Sequence, residues 1–181
     1  MRLPNAAPLA DEMARAVHGE PASAPPALAG LVLELVRNNL RQWDLEDETR
    51  DPDADDSAVA RAKRMIDQLN LTRHRLVQDI DVAIAASLDP PPSAPLATET
   101  PGMVLDRLSV LVIRRARTAG AIARDRTYAD RLPVLDAQLA LLLEALDGYL
   151  EDLYGGRRRF VAYKHLKLYA GRPNASSSRP D

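Results

Sequence analysis

Apolar residues recur along the chain at helical spacing, and clusters of proline, glycine and aspartate separate the periodic stretches. Leu9, Met13 and Val17 are set at i, i+4 steps and predict a short helix ending near Gly19. The stretch from Glu20 to Pro26, rich in Pro, Ala and Ser, reads as a linker. Leu28, Leu31, Val32, Leu35 and Val36 form one stripe of a long helix over 27–48. The segment 51–56 holds Pro52 and four aspartates and reads as a loop, with Asp56 or Ser57 able to cap the helix that follows. That helix, over 57–87, carries the clearest periodicity. Lys63, Ile66, Asn70, Arg73, Val77, Ile80 and Ile84 alternate in steps of three and four, the seam of a helical bundle.

Pro90, Pro91, Pro92 and Pro95 then impose an extended connector. Thr100-Pro101 is a helix start, a capping hydroxyl followed by proline in the first turn. The helix is expected to run to Arg124, apolar on most sides between Val104 and Ile113. Another, over 132–153, is dense in Leu and is stopped by Gly155-Gly156. A last short helix is expected over 158–169. The pattern predicts an all-α fold, a helical bundle of four long helices plus two short terminal helices. It divides into a short N-terminal helix and linker (1–26), the bundle domain (27–170) and a disordered tail (171–181).

Composition narrows the chemistry. With 181 residues the chain can bury a core without disulfides or metal. Aromatics are only 4%, so that core must be aliphatic, which favours helices packed on helices. The absence of cysteine removes disulfides, thiolate metal sites and a cysteine nucleophile together. Three scattered histidines do not make a His-rich metal site, and there is no Gly-rich phosphate loop. Neither metal nor cofactor is therefore expected. No segment has the apolar length of a membrane span, and the first ten residues lack signal-peptide features, so a cytoplasmic location is expected. A net charge of -2 and the lack of any reading motif put nucleic-acid binding last among the functional classes.

The informative feature is where apolar stripes give way to polar residues. The stripe through Val32 and Val36 continues as Asn39, Trp43, Glu46 with Asp47, and Arg50. The next helix interrupts its seam with Asn70 and Arg73, beside Asp67 and His74. Polar groups are costly to bury without partners, so these positions point to a polar pocket between helices. Such residues can equally fix bundle register, with Arg50 or Arg73 pairing structurally with Glu46 or Asp47. Neighbouring carboxylates can serve as acid and base. Adjacent helix residues, however, point about 100° apart, which leaves room for only one of the two to face a pocket.

Arginines and lysines crowd two further segments. Arg157, Arg158 and Arg159 read as a solvated face balancing the acidic run 44–56. Lys164 and Lys167, at i, i+3 among apolar residues, are better candidates for an anionic group. The cluster Arg114, Arg115, Arg117, Arg124 and Arg126 reads as surface.

Four elements taken together resemble a known family. These are the run from Asn39 through Trp43, Glu46-Asp47 and Arg50, the run from Lys63 through Asp67, Asn70 and Arg73, Glu99-Thr-Pro-Gly102 followed by Asp106-Arg107-Leu108-Ser109, and the ending Tyr163-Lys164-His-Leu-Lys167-Leu-Tyr169. In this order they are similar to the motifs of the bacterial family called domain of unknown function 4254, over about 28–174. The resemblance implies a helical protein associated with envelope-sugar or natural-product gene clusters. One position departs from the family pattern, which has His just after the Trp where this chain has Asp44.

The resulting expectation is an enzyme of small-molecule biosynthesis working by cofactor-independent acid/base chemistry in an interhelical pocket. Glu46 or Asp47 would be the acid/base. Asn39, Trp43, Arg50, Asn70, Arg73, Glu99, Asp106, Arg107, Lys164 and Lys167 would bind a small polar or anionic substrate. The alternative is a non-catalytic helical partner or scaffold protein, and the apolar stretch from Val104 to Ile113 could serve a homodimer.

Overall fold

The computed structural model describes residues 3, 5–20, 27–162 and 164. Five α-helices follow in order: α1 (Ala6–Val17), α2 (Ala27–Glu48), α3 (Asp56–Ala85), α4 (Pro101–Ile122) and α5 (Arg131–Tyr154). A single 3-10 turn, Arg126–Tyr128, lies between α4 and α5, where the sequence pattern gave no helix. The fold is an all-helical bundle with four long helices. The linker 21–26 and the tail 171–181 fall outside the described residues.

Local chemistry sets the helix ends. Asp55, one residue before the expected caps, accepts from the Ala58 N–H and starts α3. Thr100 caps α4 by accepting from the Met103 N–H at 3.3 Å, with Pro101 in the first turn. Asn5 makes no side-chain cap at α1, and the Asp147 carboxylate of α5 accepts from the Ala6 N–H at 2.7 Å instead. This bond ties the first helix onto the last.

Leu9 and Met13 of α1, Val32, Leu35 and Val36 of α2, Ile80 and Ile84 of α3, and Leu105 and Leu108 of α4 meet in one core with Leu146 and Leu150 of α5. The expected seam of α3 holds at Ile66, Ile80 and Ile84, which are buried, whereas Lys63 is exposed. A smaller cluster, Leu45 with Ala62 and Ile66, extends the α2–α3 hairpin beyond the main core. The stretch from Val104 to Ile113 is core of the same chain: Val104, Leu105, Leu108, Ser109, Val112 and Ile113 are all buried. Of its apolar residues only Val110 and Leu111 are left half-buried.

One close approach joins α3 to α4. A Cβ on Gly102 would sit 2.4 Å from the Val77 carbonyl oxygen and 2.9 Å from an Asp81 carboxylate oxygen. Without one, the Gly102 N–H reaches Asp81 at 2.7 Å. The buried carboxylate thus takes one of the free N–H groups in the first turn of α4.

The last expected helix is corrected where it can be seen. Residues 158–162 form no helix, and Arg159 forms an isolated parallel bridge with Leu96 of the proline connector. The Ala97 N–H donates to the Arg159 carbonyl at 2.8 Å, and the Arg159 N–H to the Pro95 carbonyl at 3.0 Å. The connector offers unpaired backbone groups beside the end of α5, and Gly156, at φ +68°, turns the chain onto them. The rest of that predicted helix, apart from Lys164, lies outside the described residues.

Candidate functional site

The polar residues that interrupt the stripes of α2 and α3 meet a third helix, α4, at one carboxylate. Asp106 accepts from Arg73 Nε at 2.8 Å on one oxygen and from Arg73 Nη2 at 2.5 Å on the other. The first oxygen also accepts from Asn39 Nδ2 at 2.8 Å. Asn39 donates in addition to Ser109 Oγ at 2.7 Å, and the Ser109 hydroxyl donates to the Asp106 carbonyl at 2.8 Å. Alongside, Asn38 donates to the Leu69 carbonyl and Gln42 to Asn70 Oδ1. Asn38, Gln42 and Asp106 thus bond directly to α3, and Asn39 and Ser109 join them through Asp106. Asn39 and Ser109 are buried, so the network is largely screened from water.

Above the network lies a cleft of about 300 Å³, lined by Asn39, Gln42, Trp43, Glu46, Arg50, Arg73, Val110 and Arg114. Five of the residues expected at the site are brought together here: Asn39, Trp43, Glu46, Arg50 and Arg73. Asp106 supports them through Arg73 and Asn39. Asn70 is not in the lining and serves Gln42 instead. Of the two candidate acid/base residues only Glu46 lines the cleft. Asp47, one residue on, points elsewhere and pairs with Arg50 at 3.4 Å. Arg50 also reaches Glu46 at 3.6 Å, so the structural pairing weighed from sequence does occur, at an exposed edge. Asp44 is not part of the lining and pairs with Arg117.

The remaining expected site residues lie elsewhere. Glu99 and Arg107 pair at 3.0 Å beside a second cleft of about 380 Å³, which shares no lining residue with the first. Its floor is Val104, Leu142 and Leu146, and its walls include Tyr149, Asp152 and Arg158. The Tyr149 hydroxyl donates to the Glu99 carbonyl at 2.7 Å. Burial, with the Asp81 charge adding to it, pushes its pKa up to about 12. Burial likewise raises the pKa of Asp81, against the pull of the Thr100 hydroxyl and the Gly102 N–H. Lys164 is exposed, and Lys167 lies outside the described residues. Arg157 and Arg158 pair with Asp152, rather than balancing the acidic run 44–56.

Sequence reasoning missed Gln42, Ser109 and Arg114. Arg114 is exposed, as the sequence led one to expect, and it also lines this cleft, sharing the α4 face of Asp106 and Val110 at i, i+4 and i+8, a usable signal. No described side chain pairs with it. Among the described residues no group of three His, Asp or Glu is placed to hold a metal ion, and no helix is long and apolar enough to cross a membrane.

Asn39, Trp43, Glu46, Arg50, Arg73, Asp106 and Ser109 thus form one network and its cleft, and Glu99 and Arg107 line a second cleft. The profile of the family described as Protein of unknown function (DUF4254) matches residues 29–162. The chain belongs to this family. No curated protein and no solved structure matches it. The DUF4254 match takes in the Asn39–Arg50 run, the Lys63–Arg73 run and the Glu99–Ser109 run, and ends just before the Tyr163–Tyr169 motif. The third run has a structural reading residue by residue. Glu99 pairs with Arg107, Thr100 caps α4, Gly102 allows the approach to α3, and Asp106 and Ser109 bind Asn39.

Proposed function

We propose that the protein is an enzyme that binds a small anionic molecule in the α2–α3–α4 cleft and moves a proton on it through Glu46. The supporting observation is that Glu46 and Arg114, which pairs with no described side chain, line the same cleft, beside a floor in which Asn39, Arg73, Asp106 and Ser109 are hydrogen-bonded to one another. A floor held by its own partners keeps its geometry when a ligand arrives, which is what positional catalysis requires. Arg114 would take the anionic group, since guanidinium binds carboxylate or phosphate through two parallel hydrogen bonds. Trp43 would pack against the apolar part of the substrate. Asn39 and Arg73 act as positioning residues. Proton transfer by a carboxylate needs no cofactor. We assign the reaction to small-molecule biosynthesis in a bacterial cytoplasm, on the gene-cluster context that the family resemblance implies.

The test is metabolite turnover. Wild-type protein and Glu46→Gln are incubated with a bacterial metabolite extract in D2O and followed by mass spectrometry. Wild type should convert, or exchange deuterium into, at least one anionic metabolite, with the rate falling by about 10²-fold or more in Glu46→Gln. Equal turnover by both proteins, or by neither, would rule the reading out. The alternative of a non-catalytic partner protein draws on the exposed apolar residues of α5.

A further inference from the structure

Glu99 and Arg107 belong to one sequence motif, and the α2–α3–α4 cleft uses neither. They line the second cleft instead, whose volume of about 380 Å³ lies in the range of pockets that hold small molecules. Val104 and Leu146, both buried, and the half-buried Leu142 give it an aliphatic floor. Ala97, Ala145 and Gly148 are small and leave room beside that floor; even a Cβ on Gly148 would meet nothing within 4 Å. The Tyr149 hydroxyl, donating to the Glu99 carbonyl at 2.7 Å, fixes the backbone at the rim. The charges in the lining cancel. Glu99 pairs with Arg107 at 3.0 Å, and Asp152 with Arg158 at 3.6 Å.

We propose that this cleft binds a free α-amino acid with an aliphatic side chain. The Glu99–Arg107 bond runs from Nη2 to Oε2 alone, which leaves the other carboxylate oxygen and the remaining guanidinium N–H groups with no described partner. With the Arg107 side chain 55% exposed and that of Glu99 40%, the pair contributes little by itself and is readily shared. An α-amino acid carries its ammonium and its carboxylate on one carbon. The two can therefore lie against Glu99 and Arg107 together, each through a charge-assisted hydrogen bond. Its side chain then covers Val104, Leu142 and Leu146, which gain by leaving water. A simple anion would set its charge against Glu99 and Asp152, and a simple cation against Arg107 and Arg158. A polyol brings no charge to either half of the pair and no apolar branch to the floor. The site shares no lining residue with the α2–α3–α4 cleft, so the inference stands apart from the proton-transfer reading.

Isothermal titration calorimetry with leucine, isoleucine and valine tests this. At least one should bind saturably, at one site per chain. For the tightest of them, the analogue without the amine and the analogue without the carboxylate (isocaproate and isoamylamine in the case of leucine) should each bind at least about tenfold more weakly. Glycine, which has no side chain for the floor, should fall off by a similar factor. Glu99→Gln and Arg107→Gln should each weaken the amino acid by about tenfold or more. Their helical circular dichroism spectra should match the wild type, because both side chains stand at the exposed rim. Failure of all three amino acids to bind overturns the proposal. So does an amine-free analogue that binds as tightly as its parent, or binding that neither substitution weakens.

Discussion

Arg73 on α3 grips the Asp106 carboxylate on α4 through two parallel hydrogen bonds, 2.8 and 2.5 Å long, and Asn39 on α2 completes that carboxylate's coordination. One carboxylate thus joins three helices at the floor of the cleft. Removing Arg73 leaves a charge whose side chain is only 15% exposed. Arg73→Ala should therefore cost about 2 kcal/mol of unfolding free energy, read from urea denaturation. Arg73→Lys should recover only part of it, because an ammonium cannot make the paired contact. A loss within error of zero for Arg73→Ala would mean that the network does not hold the floor.

Asp81 makes a pH prediction with a definite sign. Burial raises its pKa in the folded protein. The stability it contributes is therefore complete below its unfolded pKa, about 3.9, and is lost as pH rises through the higher folded value. Asp81→Asn keeps an acceptor for the Gly102 N–H and carries no charge. Measured by urea denaturation from about pH 3.5 to about pH 7, this variant should gain on the wild type as pH rises. Parallel curves would show that the buried carboxylate carries no charging cost.

Gly102 makes a steric one. The Val77 oxygen that a new Cβ would strike belongs to helix backbone and cannot swing aside. Gly102→Ala should destabilise by about 1–3 kcal/mol. It should also loosen the Gly102–Asp81 bond, seen as faster amide exchange at Gly102. Gly148→Ala, with open space around it, should leave the protein as stable as wild type or slightly more so.

How far the sequence was legible follows from which signals are local. Residues 27–48 and the Thr100-Pro101 start depend on spacing and capping within a few residues, and the helices fall there. Asn39, Trp43, Glu46 and Arg50 were legible because each replaces an apolar residue on a stripe whose direction the stripe itself defines. Arg107 was not, because it follows Asp106 directly and so faces a different cleft, about 100° around the helix. Asp47 failed for the same reason beside Glu46. The non-helical path of 158–162 goes with a bridge to a connector distant in sequence, Arg159 against Leu96, and no local pattern encodes that. Arg114 was legible at i+8 from Asp106, but as an exposed residue in a run of arginines it read only as surface.

The cleft carries its own reporter, since Trp43 is the only tryptophan in the chain and lines the cleft with Glu46 and Arg114. The most direct measurement is a Trp43 fluorescence titration with a panel of small carboxylates, inorganic phosphate and sugar phosphates. At least one compound should give a saturable change, and Arg114→Ala should weaken it by about tenfold or more while the helical spectrum is kept. If no compound perturbs Trp43, or if Arg114→Ala titrates like wild type, the cleft is not the anion site assigned to it.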